Sequence, residues 1–197
     1  MDLCRTYGFR YFRPGAHRGC PWNVWLGVHL LDAGPEDVVF RLDGDDFLPH
    51  ENVLARIAEV YADPEVWMTY GNYEPFPENT GQTRASAFPK EIIEARSFRA
   101  FRENRFNHPM TFRRWLWDGM GREDFQRADG QWFDAASDLL AVIPLLEMSA
   151  PSHFRFLDET LYGYNAVNPL SECSVRAEAA KEVLDMFNRP VKPQAAR

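Results

Sequence analysis

Between Asp37 and Leu42 the chain reads DVVFRL, a β-branched apolar run, and it stops at once in Asp43-Gly44-Asp45-Asp46. Such a run has the marks of a buried strand that delivers carboxylates at its C-terminal end. The flanking segments narrow the fold further. From Pro21 the apolar residues Val24, Trp25, Val28 and Leu31 recur at helical spacing, with proline in the first turn and Gly34-Pro35 as a stop. After the aspartates, Pro49 opens a second helical pattern through Val53, Leu54, Ile57, Val60 and Tyr61, closed by Asp63-Pro64, and Val66 to Tyr73 is another apolar strand. Upstream, Gly8 to Arg13 alternates aromatic and polar residues before Pro14-Gly15, the pattern of a short strand entering a loop that a phosphate-bearing ligand could meet. Strand, helix, strand, helix, strand predicts an α/β domain: a mostly parallel, Rossmann-like central sheet flanked by helices. Ligands bind such sheets at the carboxyl ends of the strands, where these aspartates lie.

Downstream, Glu74 to Pro89 is rich in proline and small polar residues and reads as a long loop of the lid type. Ile92 to Phe106 carries Arg96, Arg99, Arg102 and Arg105 at three-residue spacing, a basic stripe on an expected helix, with Arg113 and Arg114 soon after. Trp132 to Met148 is helical in pattern, with Pro144 marking a kink or boundary. Phe154 to Leu157 and Thr160 to Tyr164 read as short strands, and Val175 to Phe187 as a final amphipathic helix. One domain is expected over residues 1–189, with 190–197 a disordered tail.

Composition bounds what such a domain can do. Of 197 residues, 45% are hydrophobic, enough for one ordinary core. The net charge of −7 repels polyanions and anionic membranes as a whole, so any nucleic-acid contact must be local. Cys4, Cys20 and Cys173 form no metal or disulfide spacing, which argues for a reducing, cytoplasmic address and against a structural zinc. No apolar run reaches the roughly 18 to 20 residues that span a bilayer, and the start lacks a signal-peptide pattern. Oligomeric state is not legible.

Three carboxylates within four residues repel one another unless a cation or backbone donors neutralise them, and a divalent metal does so economically. Two plainer readings compete: a solvated acidic turn bent at Gly44, or a helix N-terminus capped by Asp46. An EF-hand is excluded, because Phe47 and Leu48 stand where its loop needs a ligand and a glycine.

Residues 38 to 73, VVFRLDGDDFLPHENVLARIAEVYADPEVWMTYGNY, resemble the central part of family 2 nucleotide-sugar glycosyltransferases, which have the GT-A fold. The likeness continues in the family's order. His108-Pro109-Met110-Thr111-Phe112-Arg113-Arg114 is similar to an "HLRTFR" segment, Asp138-Leu139-Leu140 through Met148 to "DLA…PLLEMA", and Leu161-Tyr162-Gly163-Tyr164-Asn165 to "LYxYN". It covers most of residues 18 to 170.

The resemblance implies a GT-A-like fold and a metal-dependent hexosyltransferase. Asp43, Asp45 and Asp46 would hold Mn²⁺ or Mg²⁺, and Asp43 and Asp45 the ribose-diphosphate of a UDP-sugar. Asp138 falls where the family's catalytic base lies and would take the acceptor's proton in an inverting transfer. His108 would touch the diphosphate or the acceptor, and Trp115 and Trp132 would stack on a ring or serve the core. The family opens with a strand, a Pro-x-x-Asn turn and a uracil-reading aspartate. Here only Tyr7 to Arg13 precede the matching segment, which leaves Arg18 and Asn23 as the expected donor contacts. The arginine stripe reads either as a solvated or salt-bridged face or as a track for a phosphate-bearing acceptor. The acceptor is therefore a glycan or a hydroxylated base in nucleic acid. The rival expectation is a degenerate, non-catalytic nucleotide- or glycan-binding module.

Overall fold

The computed structural model describes residues 2–77, 85–100, 107–169 and 184–196. The helices are α1 (Asp2–Tyr7), α2 (Cys20–His29), α3 (Val53–Val60), α4 (Lys90–Ala95), α5 (Ser137–Ser149) and α6 (Leu184–Phe187). The strands are β1 (Val38–Arg41), β2 (Met68–Phe76), β3 (Asn107–Arg113) and β4 (Phe154–Asn165), with 3-10 turns at Phe98–Ala100, Arg114–Gly119 and Arg122–Phe125. No helix among the described residues is long and apolar enough to cross a membrane.

The four strands form one mixed sheet in the order β1-β3-β2-β4. β3 runs antiparallel to both β1 and β2, and only β2 and β4 pair in parallel. This corrects the expected mostly parallel, Rossmann-like sheet. The expected alternation holds no strand at Asn107–Arg113, yet that segment enters between β1 and β2 and reverses the local direction. Apolar runs announce strands, but neighbour and direction depend on how the connections return, which no local pattern carries. Gly8 to Arg13, expected as a strand, forms none. The two short strands expected near the C-terminal end are one, β4, with register shifts against Gly71, Asn72 and Tyr73 of β2.

Side chains alternate across the sheet with period two, so each face has its own core. On one face Val38 and Phe40 of β1 and Leu157 and Leu161 of β4 pack with Val53, Ile57 and Tyr61, which places α3 there. On the other face Val39, Met68, Tyr70, Met110, Phe112 and Phe154 pack with Trp117 and with Leu140, Ile143, Leu145 and Leu146 of α5. From Leu140 to Ser149, α5 is buried on all sides. It runs through Pro144 without ending: apolar burial on every side outweighs a lost helical hydrogen bond. Trp115 packs edge-to-face on Trp67, and Trp132 lies against Trp25, so both expected stacking tryptophans have ring partners inside the protein.

The arginine stripe does not form an open track among its described members. Arg96 closes α4 in the left-handed region (φ 52°) and its guanidinium donates to the Glu147 carbonyl at 2.6 and 3.0 Å. Arg99 is buried in a two-pronged pair with the Glu147 carboxylate at 2.6 and 2.9 Å. Arg113, also buried, donates to the carbonyls of Val66, Tyr61 and Asp63, while Arg114 pairs with Asp118. Arg102 and Arg105 lie outside the described residues, as do residues 170–183 of the expected final helix. Residues 190–196, expected as a disordered tail, carry hydrogen bonds to α5: the Lys192 amide donates to Glu147 Oε2 at 2.9 Å and the Ala195 amide to the Met148 carbonyl at 3.0 Å.

Candidate functional site

Because β3 opposes its two neighbours, β1, β2 and β4 point the same way, and the start of β3 lies at their carboxyl ends. The register that sets Arg41 opposite Met110 brings His108 level with Asp43, two residues beyond the end of β1. The aspartates form a tight turn there. The Asp46 amide donates to the Asp43 carbonyl at 3.1 Å, leaving Gly44 and Asp45 exposed at its tip. Phe47 then exchanges both backbone hydrogen bonds with Gly163 at 3.0 and 2.8 Å, pinning the turn to β4. A methyl group on Gly163 would come within 2.4 Å of the Phe47 ring, so the ring packs directly over a residue without a side chain.

Each aspartate has its own partners. Asp43 Oδ1 accepts from Arg41 Nε at 3.1 Å, and its other oxygen lies 3.8 Å from His108 Nε2. Asp45 accepts from Asn168 Nδ2. Asp46 accepts from the Tyr162 hydroxyl at 2.6 Å and from the Asn165 amide at 2.8 Å, so both of its oxygens are committed to β4. It caps no helix. Burial raises the Asp46 carboxyl above its ordinary range; the bonds from Tyr162 and Asn165 oppose this, and the neighbouring charges of Asp45 and Asp43 add to it.

Tyr162 holds the turn from beneath. Its hydroxyl accepts from the Asp43 amide at 3.0 Å while donating to Asp46, and its ring stacks on His108 at 4.5 Å. Burial and the Asp43 charge keep the phenol protonated far above its usual range. Burial, then the Arg41 charge, hold His108 below the ordinary histidine value, so the ring is neutral near pH 7 and its contact with Asp43 is not an ion pair. His108 Nδ1 is buried without a hydrogen-bond partner, and so is Arg41 Nη1.

Sequence reasoning passed over four residues that complete this site: Arg41, Ser137, Cys20 and Tyr162. Arg41 faces α5 by strand alternation, and its Nη2 donates to Ser137 Oγ at 2.9 Å. Cys20 Sγ, in the first turn of α2, lies 3.1 Å from the same hydroxyl. A lone arginine inside the apolar DVVFRL run is the signal that could have found it, since a charge in a buried strand needs a partner. Asp138 follows Ser137 in the first turn of α5, exposed, and its charge is felt by both Arg41 and His108. Arg18 and Asn23 flank Cys20 at the start of α2 and are exposed. The Arg18 guanidinium sits 5.9 Å from the Trp22 ring centroid.

The three aspartates expected to hold a metal differ in how open their oxygens are. Among the described residues no three His, Cys, Asp or Glu groups gather to hold an ion, and each Asp46 oxygen already accepts a hydrogen bond from β4. Asp43 and Asp45 have the fewer hydrogen bonds of the three. Mg²⁺ and Mn²⁺ are commonly held by one or two carboxylates together with substrate phosphates, so this pair fits an ion arriving with a diphosphate rather than a resident protein cage. A cleft of about 800 Å³ opens elsewhere, beside Arg99, Arg127 and Lys192. Those three cations are already paired with Glu147, Asp134 and Asp124, and Arg189, which also lines it, donates to the carbonyls of Glu123 and Gln126. No known protein-family model matches the chain, and no curated protein matches it.

Proposed function

We propose that the protein transfers a sugar from a nucleotide-sugar donor, a UDP-sugar by resemblance, to an acceptor hydroxyl of a glycan or a hydroxylated nucleobase. The observation that carries this reading is the meeting of Asp43, Arg41, His108 and the exposed Asp138 where three co-directional strands end. Asp43 and Asp45 would hold the divalent ion, which supplies positive charge to the leaving diphosphate. Arg41, anchored by Asp43 and Ser137, adds fixed positive potential beside that position. Asp138 has no side-chain partner among the described residues, leaving its carboxylate available to take a proton from an acceptor hydroxyl. Tyr162 and Asp46 hold the turn, and neutral His108 packs beneath it without adding charge.

The test is UDP release from a panel of UDP-hexoses with Mn²⁺. Turnover should fall by about a hundredfold or more in Asp138→Asn, in line with loss of a general base, and in Asp45→Ala. Turnover unchanged in both variants overturns the reading. The alternative, a non-catalytic nucleotide-binding module, draws support from Asp46, both of whose oxygens already accept hydrogen bonds from β4. It predicts UDP binding by calorimetry with no release from any donor.

A further inference from the structure

The segment from Arg5 to Arg13 reads RTYGFRYFR, in which all but Thr6 and Gly8 are arginine or aromatic. Every one of these residues is exposed. Tyr7, Phe9, Tyr11 and Phe12 stand 66, 63, 63 and 58% open to solvent, and beyond the stacking of Tyr7 on Phe9 they contribute nothing to either core. Arg5, Arg10 and Arg13 make no ion pair among the described residues. No aspartate or glutamate occurs between Leu3 and Leu31, although the whole chain carries −7. The basic stripe that the sequence offered as an anion track turns inward at Arg96, Arg99 and Arg113. Among the described residues, Arg5, Arg10 and Arg13 are exposed cations without an ion pair.

We infer that this arm binds single-stranded nucleic acid. A partner must offer regularly spaced negative charge to the arginines and flat faces to the rings, and a single strand presents both at each nucleotide. Four large aromatics exposed beside unpaired arginines are stable against water only weakly, and base stacking covers them while the phosphates pair with the guanidiniums. An anionic bilayer fits less well. The arm has no aliphatic side chain from Cys4 to Arg13, and only residues up to Tyr7 are helical, so no apolar helix face exists to enter the lipid. Through Arg18 and Gly19 the arm runs directly into Cys20, which touches the Arg41–Ser137 contact of the candidate site. A strand held on the arm is thereby led toward that end of the sheet. The inference does not rest on sugar transfer.

Fluorescence anisotropy of a labelled oligothymidylate of about 16 nucleotides with the full chain tests it, starting near about 50 mM salt. Binding should weaken with salt at a log–log slope of about −2, as expected for three phosphate contacts on a single strand. Arg10→Ala with Arg13→Ala should flatten the slope by about 1.4. Phe9→Ala with Tyr11→Ala should weaken binding about tenfold or more with the slope unchanged, the signature of lost stacking. Both variants lie on exposed positions and should keep the parent's melting temperature. Absence of binding at low salt, equal competition by inorganic polyphosphate, retention of full affinity in both variants, or capture by phosphatidylserine vesicles without oligonucleotide binding each overturns the proposal.

Discussion

Two charged clusters in this molecule share their residue types and differ in how completely they close. Around Glu147, arginines and a carboxylate meet inside the protein and satisfy one another. Arg99 holds both Glu147 oxygens, Arg96 takes the Glu147 carbonyl, and the Lys192 amide adds a further bond. At the end of β1, Asp43, Arg41 and His108 also meet, but Arg41 Nη1 and His108 Nδ1 are left unpartnered and Asp45 and Asp138 stay exposed. A network that closes on itself stabilises a fold and offers nothing to a ligand. One that keeps exposed carboxylates above unpartnered buried donors leaves groups open to a ligand, at some cost in stability.

Removing one partner from the closed network should have the largest effect. Glu147→Ala leaves a buried guanidinium unpaired and should cost about 3–5 kcal/mol in urea unfolding. A loss below about 1 kcal/mol would mean that the two clusters do not differ as described. Tyr162→Phe lies between the extremes. It strips one bond from Asp46 and one from the Asp43 amide, and should cost about 1.5–3 kcal/mol, with activity falling alongside because the turn loosens.

The pH dependence separates the clusters next. His108 binds protons less readily folded than unfolded, so metal-free protein should lose stability as pH falls through about 6.5, where the unfolded chain takes up the extra proton. His108→Gln should flatten that slope in thermal melts. At lower pH the raised Asp46 works in the other sense: the folded state takes up its proton first, which restores part of the loss. The smallest effect is expected at the tip of the turn, where Asp45→Ala should change stability by no more than about 0.5 kcal/mol. A large destabilisation there would make Asp45 a structural residue and weaken its assignment as a metal ligand.

Much of the local structure was legible beforehand. The DVVFRL run is β1, the pattern from Val53 to Tyr61 is α3, and the aspartate turn stands where the strand delivers it. The arrangement of the sheet was not, because β3 declares neither its neighbours nor its direction in local periodicity, and its insertion between β1 and β2 is a long-range event. The same limit divided the candidate site. Asp43 could be named from residue type and spacing, and His108 and Asp138 from the resemblance to a known family. Tyr162, Ser137 and Cys20 could not, since ordinary residues gain significance only from what stands across from them. Arg96, Arg99 and Arg113 show the converse: spacing that suggested a surface track belongs to side chains folded into ion pairs and carbonyl contacts.

Residue chemistry alone determined that carboxylates would gather at a strand end, that an acidic chain would hold a basic, aromatic stretch near Arg10, and that apolar runs and helical patterns would alternate. Folding decided which charges cancel and which remain available. A charge's partners are set by contacts across a hundred residues of chain, as between Asp46 and Tyr162 or Arg41 and Ser137, and burial then fixes whether such a group is neutral or ionised.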